Sequence, residues 1–117
     1  MADIARILIA VIAVLHVGFL VLEMFLWQTA FGRKTFGLTK EFAEQSAKLA
    51  ANQGLYNGFL AAGLAWGLWL ASRDIETFFL ACVVVAGLYG GITVKRSILI
   101  IQALPAIVAL ALLYLVK

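Results

Sequence analysis

Four long stretches of the chain are apolar on every side, and short polar breaks separate them. They fall at about residues 4–27, 53–72, 76–94 and 97–116. Each is close to the ~20 residues that carry a helix across a ~30 Å hydrocarbon core. The pattern predicts an all-α fold: an integral membrane four-helix bundle, one domain over residues 1–117, with a short interfacial helix in its first loop. The breaks near residues 73–76 and 95–97 are short enough to be tight turns, so the second, third and fourth helices form an antiparallel set. The first break is longer and holds an amphipathic connecting helix at about 39–50. Thr39 is placed to cap it and Glu41 lies in its first turn. There Leu38, Phe42, Ala43, Ala47 and Leu49 interleave with Lys40, Glu41, Glu44, Gln45 and Lys48. A solvated connector and a lid lying on the membrane surface both fit that pattern.

Composition narrows the setting. Of the 117 residues 65% are hydrophobic and only 13% charged, a balance that no soluble domain of this size could bury. The net charge of +3 is spread over short loops, without the dense basic patch that nucleic acid requires. The one cysteine, Cys82, cannot form an internal disulfide, and no cysteine cluster suggests a metal site. The first apolar stretch runs on into Met24, Phe25, Leu26 and Trp27 rather than a small-residue cleavage site, so it reads as a retained helix. No internal repeat points to an inverted-repeat transporter.

Six Lys and Arg residues (Arg33, Lys34, Lys40, Lys48, Lys95, Arg96) lie in the first and third loops. Three (Arg6, Arg73, Lys117) lie on the side of the termini and the second loop. The positive-inside rule then puts loops one and three in the cytoplasm of a bacterial inner membrane and both termini outside.

Depth within each span sorts the polar residues. His16 is near the middle of the first helix and Glu23 two turns nearer the first loop. Asn52, Gln53, Tyr56 and Asn57 open the second helix from that same side. Tyr89 and Thr93 end the third helix there, and Gln102 begins the fourth. The other half offers Trp66, Trp69, Cys82, Tyr114 and aliphatics. A charged side chain at the bilayer centre costs roughly 2.5–3.5 kcal/mol, so such groups should face one another or a wet cavity. The one-sidedness suggests a pocket open to the inner leaflet, not a through-pore.

His16 and Glu23, seven residues apart, share one helix face at roughly 10 Å separation. They could flank one bound molecule as an acid–base pair, the catalytic candidates of the chain. Asn52, Gln53, Tyr56, Asn57, Tyr89 and Gln102 are the ligand-binding candidates. A structural role competes with this: Glu23 bonded to Asn52, Gln53 or Trp27 would simply fix helix packing, and interhelical amide bonds contribute about 0.6–2 kcal/mol each. Gly54/Gly58, Gly63/Gly67 and Gly87/Gly91 are small-xxx-small pairs that permit close helix approach, within the chain or between copies in a homo-oligomer. Pro105 deletes the backbone bond to Ile101 and should kink the last helix. Trp27, Phe31 and Phe36 read as interfacial anchors.

Leu15-His16, Leu22 to Trp27, Gly32-Arg33-Lys34 with Phe36-Gly37-Leu38, Ala51 to Gly58, Ala86 to Gly90 and Gln102 to Ala106 together resemble the bacterial membrane family called domain of unknown function 1304. The resemblance covers nearly the whole chain and its Asn52-Gln53-Gly54 segment is distinctive. It implies a four-helix integral membrane protein and no particular activity.

The polar set favours binding or acid–base modification of a lipid-like or isoprenoid small molecule, with membrane lipids as surroundings. The residue types are similar to those of small membrane sterol isomerases. A proton-coupled exporter is the second reading, since small multidrug transporters share the length and a Glu in the first helix. An accessory subunit of a membrane complex is the third. No cofactor motif is present, and His16 and Glu23 fall short of the three ligands of a catalytic zinc.

Overall fold

The computed structural model describes residues 2–115, and these are helical almost throughout, with no strand among them. The elements are α1 (Ala2–Met24), α2 (Ala30–Phe36), α3 (Lys40–Leu70), α4 (Arg73–Thr93) and α5 (Leu104–Leu115), the last preceded by a wide π-turn over Leu99–Ala103. α1 and α4 are long and apolar enough to cross a membrane. The helical stretch Leu99–Leu115 is apolar but shorter. Val116 and Lys117, assigned above to the last span and to the outer side, lie outside the described residues.

The punctuation follows the chain chemistry. Thr29 caps α2 by accepting from the Gly32 N–H at 3.1 Å. Gly37 ends that helix at φ 66°, a left-handed conformation that glycine takes without a Cβ penalty, and the Leu38 N–H reaches the Arg33 carbonyl at 2.8 Å. Thr39 Oγ1 accepts from the Phe42 N–H at 3.1 Å and starts α3. Between α3 and α4 the turn is made by Ala71 at φ 50°, followed by Ser72, whose hydroxyl accepts from the Ile75 N–H at 3.3 Å.

Three expectations change. The connecting helix at 39–50 and the span at 53–72 are one uninterrupted helix of 31 residues, α3. Nothing between Lys40 and Leu70 breaks a helix; the shift from polar to apolar at residue 54 alters the surroundings, not the backbone. The short separate helix of the first loop is instead α2. Pro105 does not simply kink the last helix. Its missing N–H is accommodated by the π-turn just before it, in which the Leu104 N–H bonds the Leu99 carbonyl, five residues back.

The described chain forms two compact units, residues 2–14 with 60–115, and residues 15–59. In the first, four helical segments meet in one aliphatic core: Ile9, Ile12 and Ala13 from α1, Leu64 from α3, Leu80 and Val83 from α4, and Ala106 and Ala109 from α5. Glycines set the spacing. A Cβ at Gly87 would sit 2.6 Å from the backbone nitrogen of Ala103, so α4 and the π-turn touch backbone to backbone. Gly63 lies under the Phe79 ring and Gly67 against Glu76. Around this core large apolar residues face outward, Trp69 at 84%, Ile92 at 80% and Leu115 at 81% exposure.

In the second unit the first-loop end of α1, α2 and the start of α3 pack through small residues. Gly32 is buried against the Leu26 carbonyl, so closely that any Cβ would collide with it. Gly54 lies over Met24 and Glu23, and Gly58 over Leu20. Each of the three glycine pairs therefore packs against its own chain.

Candidate functional site

The close approach at Gly54 and Gly58 sets the chemistry of the second unit. Because no side chain intervenes there, α3 passes near the last turns of α1, and Asn57, one turn beyond Gly54, comes level with Glu23. The Asn57 side-chain amide donates to Glu23 Oε1 at 2.5 Å, a bond between residues 34 positions apart. Asn57 is buried; Glu23 is half-buried. An uncharged donor thus anchors one oxygen of the carboxylate.

Beside this pair is an open cleft of about 260 Å³, lined by Glu23, Met24, Phe25, Trp27, Gln28, Thr29 and Ala47. Its walls are held by local bonds. The Trp27 indole N–H donates to Ser46 Oγ at 3.0 Å, and that hydroxyl donates to the Phe42 carbonyl at 2.6 Å. The Trp27 ring also lies on Phe36, centroids 4.8 Å apart. Thr29 Oγ1 donates to the Leu26 carbonyl at 2.6 Å while accepting from Gly32. Both hydroxyls are committed to backbone, so the indole and the carboxylate are presented on a fixed frame.

The remaining candidates are distributed differently. His16 is fully enclosed, edge-on to Phe19 with centroids 5.2 Å apart, and is not among the walls of the cleft that Glu23 lines. Asn52 and Gln53 are exposed on α3, and Tyr56 is 56% exposed with its ring against Phe59. Tyr89 stands 71% exposed on α4, and Gln102 is half-buried in the π-turn. Among the described residues no three His, Cys, Asp or Glu side chains cluster closely enough to hold a metal ion.

One polar residue was missed. Glu76, read above as part of a polar turn, is buried at 3% exposure in the first turn of α4, with Oε2 lacking a hydrogen-bond partner. Arg6 and Arg73 act on it electrostatically, and Arg6 also donates to the Leu68 carbonyl at 3.0 Å. Strong polarity is therefore not confined to the first-loop ends of the helices. The signal was in the spacing: Glu76, Leu80, Val83, Gly87 and Gly91 form the buried stripe of α4, so Glu76 heads a core-facing row.

These features define an all-helical protein with two helices long and apolar enough to cross a membrane, and a carboxylate–amide pair beside an aromatic cleft. The chain belongs to the family described as Protein of unknown function (DUF1304), whose model matches residues 10–114. It is similar to Uncharacterized protein YpaA of Lactococcus lactis subsp. lactis (strain IL1403), 32% identical over 93 residues that cover 76% of this chain and 78% of that protein. No solved structure matches it.

Proposed function

We propose that this chain is a four-span protein of the bacterial inner membrane that binds a lipid-like small molecule in the cleft beside Glu23. The carrying observation is the half-buried carboxylate held through one oxygen by Asn57 and lining an open cleft. A carboxylic group in apolar surroundings is costly packing material, and a fixed aromatic wall beside it suits an amphiphile. The greasy outer surface of α1, α3, α4 and α5 supports the four spans, and the excess of Lys and Arg in loops one and three supports a cytoplasmic position for the cleft. The reading favours binding over acid–base conversion, because Glu23 lines the cleft and His16, fully enclosed, is not among its walls.

Mass spectrometry of small molecules co-purifying with the wild type and with Glu23→Gln tests it. A specific lipid-like molecule enriched on the wild type and lost on the variant is expected. Identical bulk lipids on both would remove the proposed role of Glu23. For the topology, a membrane-impermeant maleimide applied to intact cells should label a cysteine placed at residue 74 and spare one at residue 36, in a Cys82→Ser background; the reverse pattern would invert the orientation.

A further inference from the structure

We propose that the molecule taken by the cleft carries a cationic head, an ammonium or quaternary ammonium group on an apolar body. The proposal rests on the cleft being a binding site and names the chemistry of its ligand.

The argument begins with what Glu23 lacks. A carboxylate has two oxygens and about four acceptor positions, and Asn57 occupies one. No Lys or Arg among the described residues pairs with Glu23, and no other residue of the cleft wall is charged. The chain treats its other buried carboxylate differently: Glu76 has Arg6 and Arg73 acting on it. Of the two, only Glu23 is without an internal cation among the described residues, and it lines the cleft.

The rest of the wall favours the same charge. Trp27 and Phe25 present aromatic rings, whose faces attract cations, and Met24 adds a polarisable thioether. Thr29 has spent its hydroxyl proton on the Leu26 carbonyl and Trp27 its indole proton on Ser46, so the uncharged amide of Gln28 is the donor side chain the wall has left. An anionic head would meet a carboxylate and no compensating cation. A neutral alcohol would gain one hydrogen bond to Glu23 and nothing from the rings. A cation gains both, and its pairing with the carboxylate neutralises each charge in apolar surroundings. The volume, about 260 Å³, suits a head group and the first carbons of a chain, with the remainder outside.

The test uses the whole protein in an uncharged detergent, with Trp66 and Trp69 replaced by Phe. Both are exposed, and their removal leaves Trp27, in the cleft wall, as the last of the three tryptophans. Trp27 fluorescence is titrated with decyltrimethylammonium, decanol and decyl sulfate, which share one chain. The ammonium should saturate at a concentration about tenfold or more below the alcohol, as a charge-assisted contact requires, and the sulfate should give no saturable change. Glu23→Gln should raise the half-saturating concentration of the ammonium by about tenfold or more. Equal responses to ammonium and alcohol, or an unaltered response in Glu23→Gln, would overturn the cationic head while leaving the cleft as a binding site. Silence towards all three would overturn the cleft itself. The ligand series needs no variant at Glu23, so it decides the matter even if Glu23→Gln does not fold.

Discussion

Residues 2–14 with 60–115 and residues 15–59 are held together by different chemistry. The first unit buries Ile9, Ile12, Leu64, Leu80 and Val83 completely; among the large side chains buried to that degree, the second contributes only His16. What the second unit buries is Ala43, Ala50, Asn57 and the glycines at 32 and 54. It joins its segments by Asn57 to Glu23 and Trp27 to Ser46 rather than by aliphatic interdigitation. On the membrane reading proposed above, lipid tails are as apolar as leucine, and close packing and interhelical hydrogen bonds are the forces available. The first unit relies on close aliphatic packing, and the second combines close approach at its glycines with side-chain hydrogen bonds. The cleft lies in the unit with the smaller aliphatic core.

The contrast can be broken experimentally. Leu64→Ala should have the largest effect, roughly 2–5 kcal/mol, because it opens a cavity at the meeting point of four helical segments. Thermal unfolding in detergent should show a single large drop in midpoint; a shift under a degree would mean the core is loosely packed. Gly87→Ala should cost about 1–3 kcal/mol, since the added methyl meets the Ala103 backbone. Hydrogen exchange should rise across residues 86–106 first, and unchanged exchange there would refute the close contact. Asn57→Leu should cost the least, about 0.6–2 kcal/mol, and raise exchange mainly within residues 15–59. Exchange rising equally throughout would erase the distinction between the units.

Much of this was legible in the residues, and unevenly. The break near Lys95 and the apolar character of α1 and α4 were plain, because hydropathy acts locally, whereas the break expected at residues 73–76 falls at Ala71 and Ser72, and 73–76 open α4. Glu23 and Asn57 were picked out by the cost of polarity in hydrocarbon. Which amide meets the carboxylate was not, since Asn52, Gln53, Tyr56 and Asn57 point to different sides of one helix. The deciding row is Ala50, Gly54, Asn57, Ala61 and Leu64, the buried side of α3, in which Asn57 is the one polar member. Asn52 and Gln53 lie off that row. Glu76 escaped because its neighbours Arg73 and Asp74 make the segment read as solvated turn, whereas its row along α4 is buried. The π-turn depends on how Pro105 and the backbone contact at Gly87 are reconciled, which no local pattern states.

The continuity of α3 has a consequence for membrane thickness. Between Arg6 and Glu23, α1 has 16 uncharged residues, about 24 Å of helix, and the apolar part of α3, residues 54–70, covers about 25 Å. On the four-span reading both helices offer the bilayer a short hydrophobic length, and that of α3 adjoins the polar stretch holding Asn52 and Gln53. Accommodating them in a ~30 Å core requires the lipid to thin beside α1 and α3, at fractions of a kcal/mol per Å of mismatch. The protein should therefore sense acyl-chain length, sitting most comfortably where lipid tails are short and drawing the headgroup layer down towards the level of Asn57.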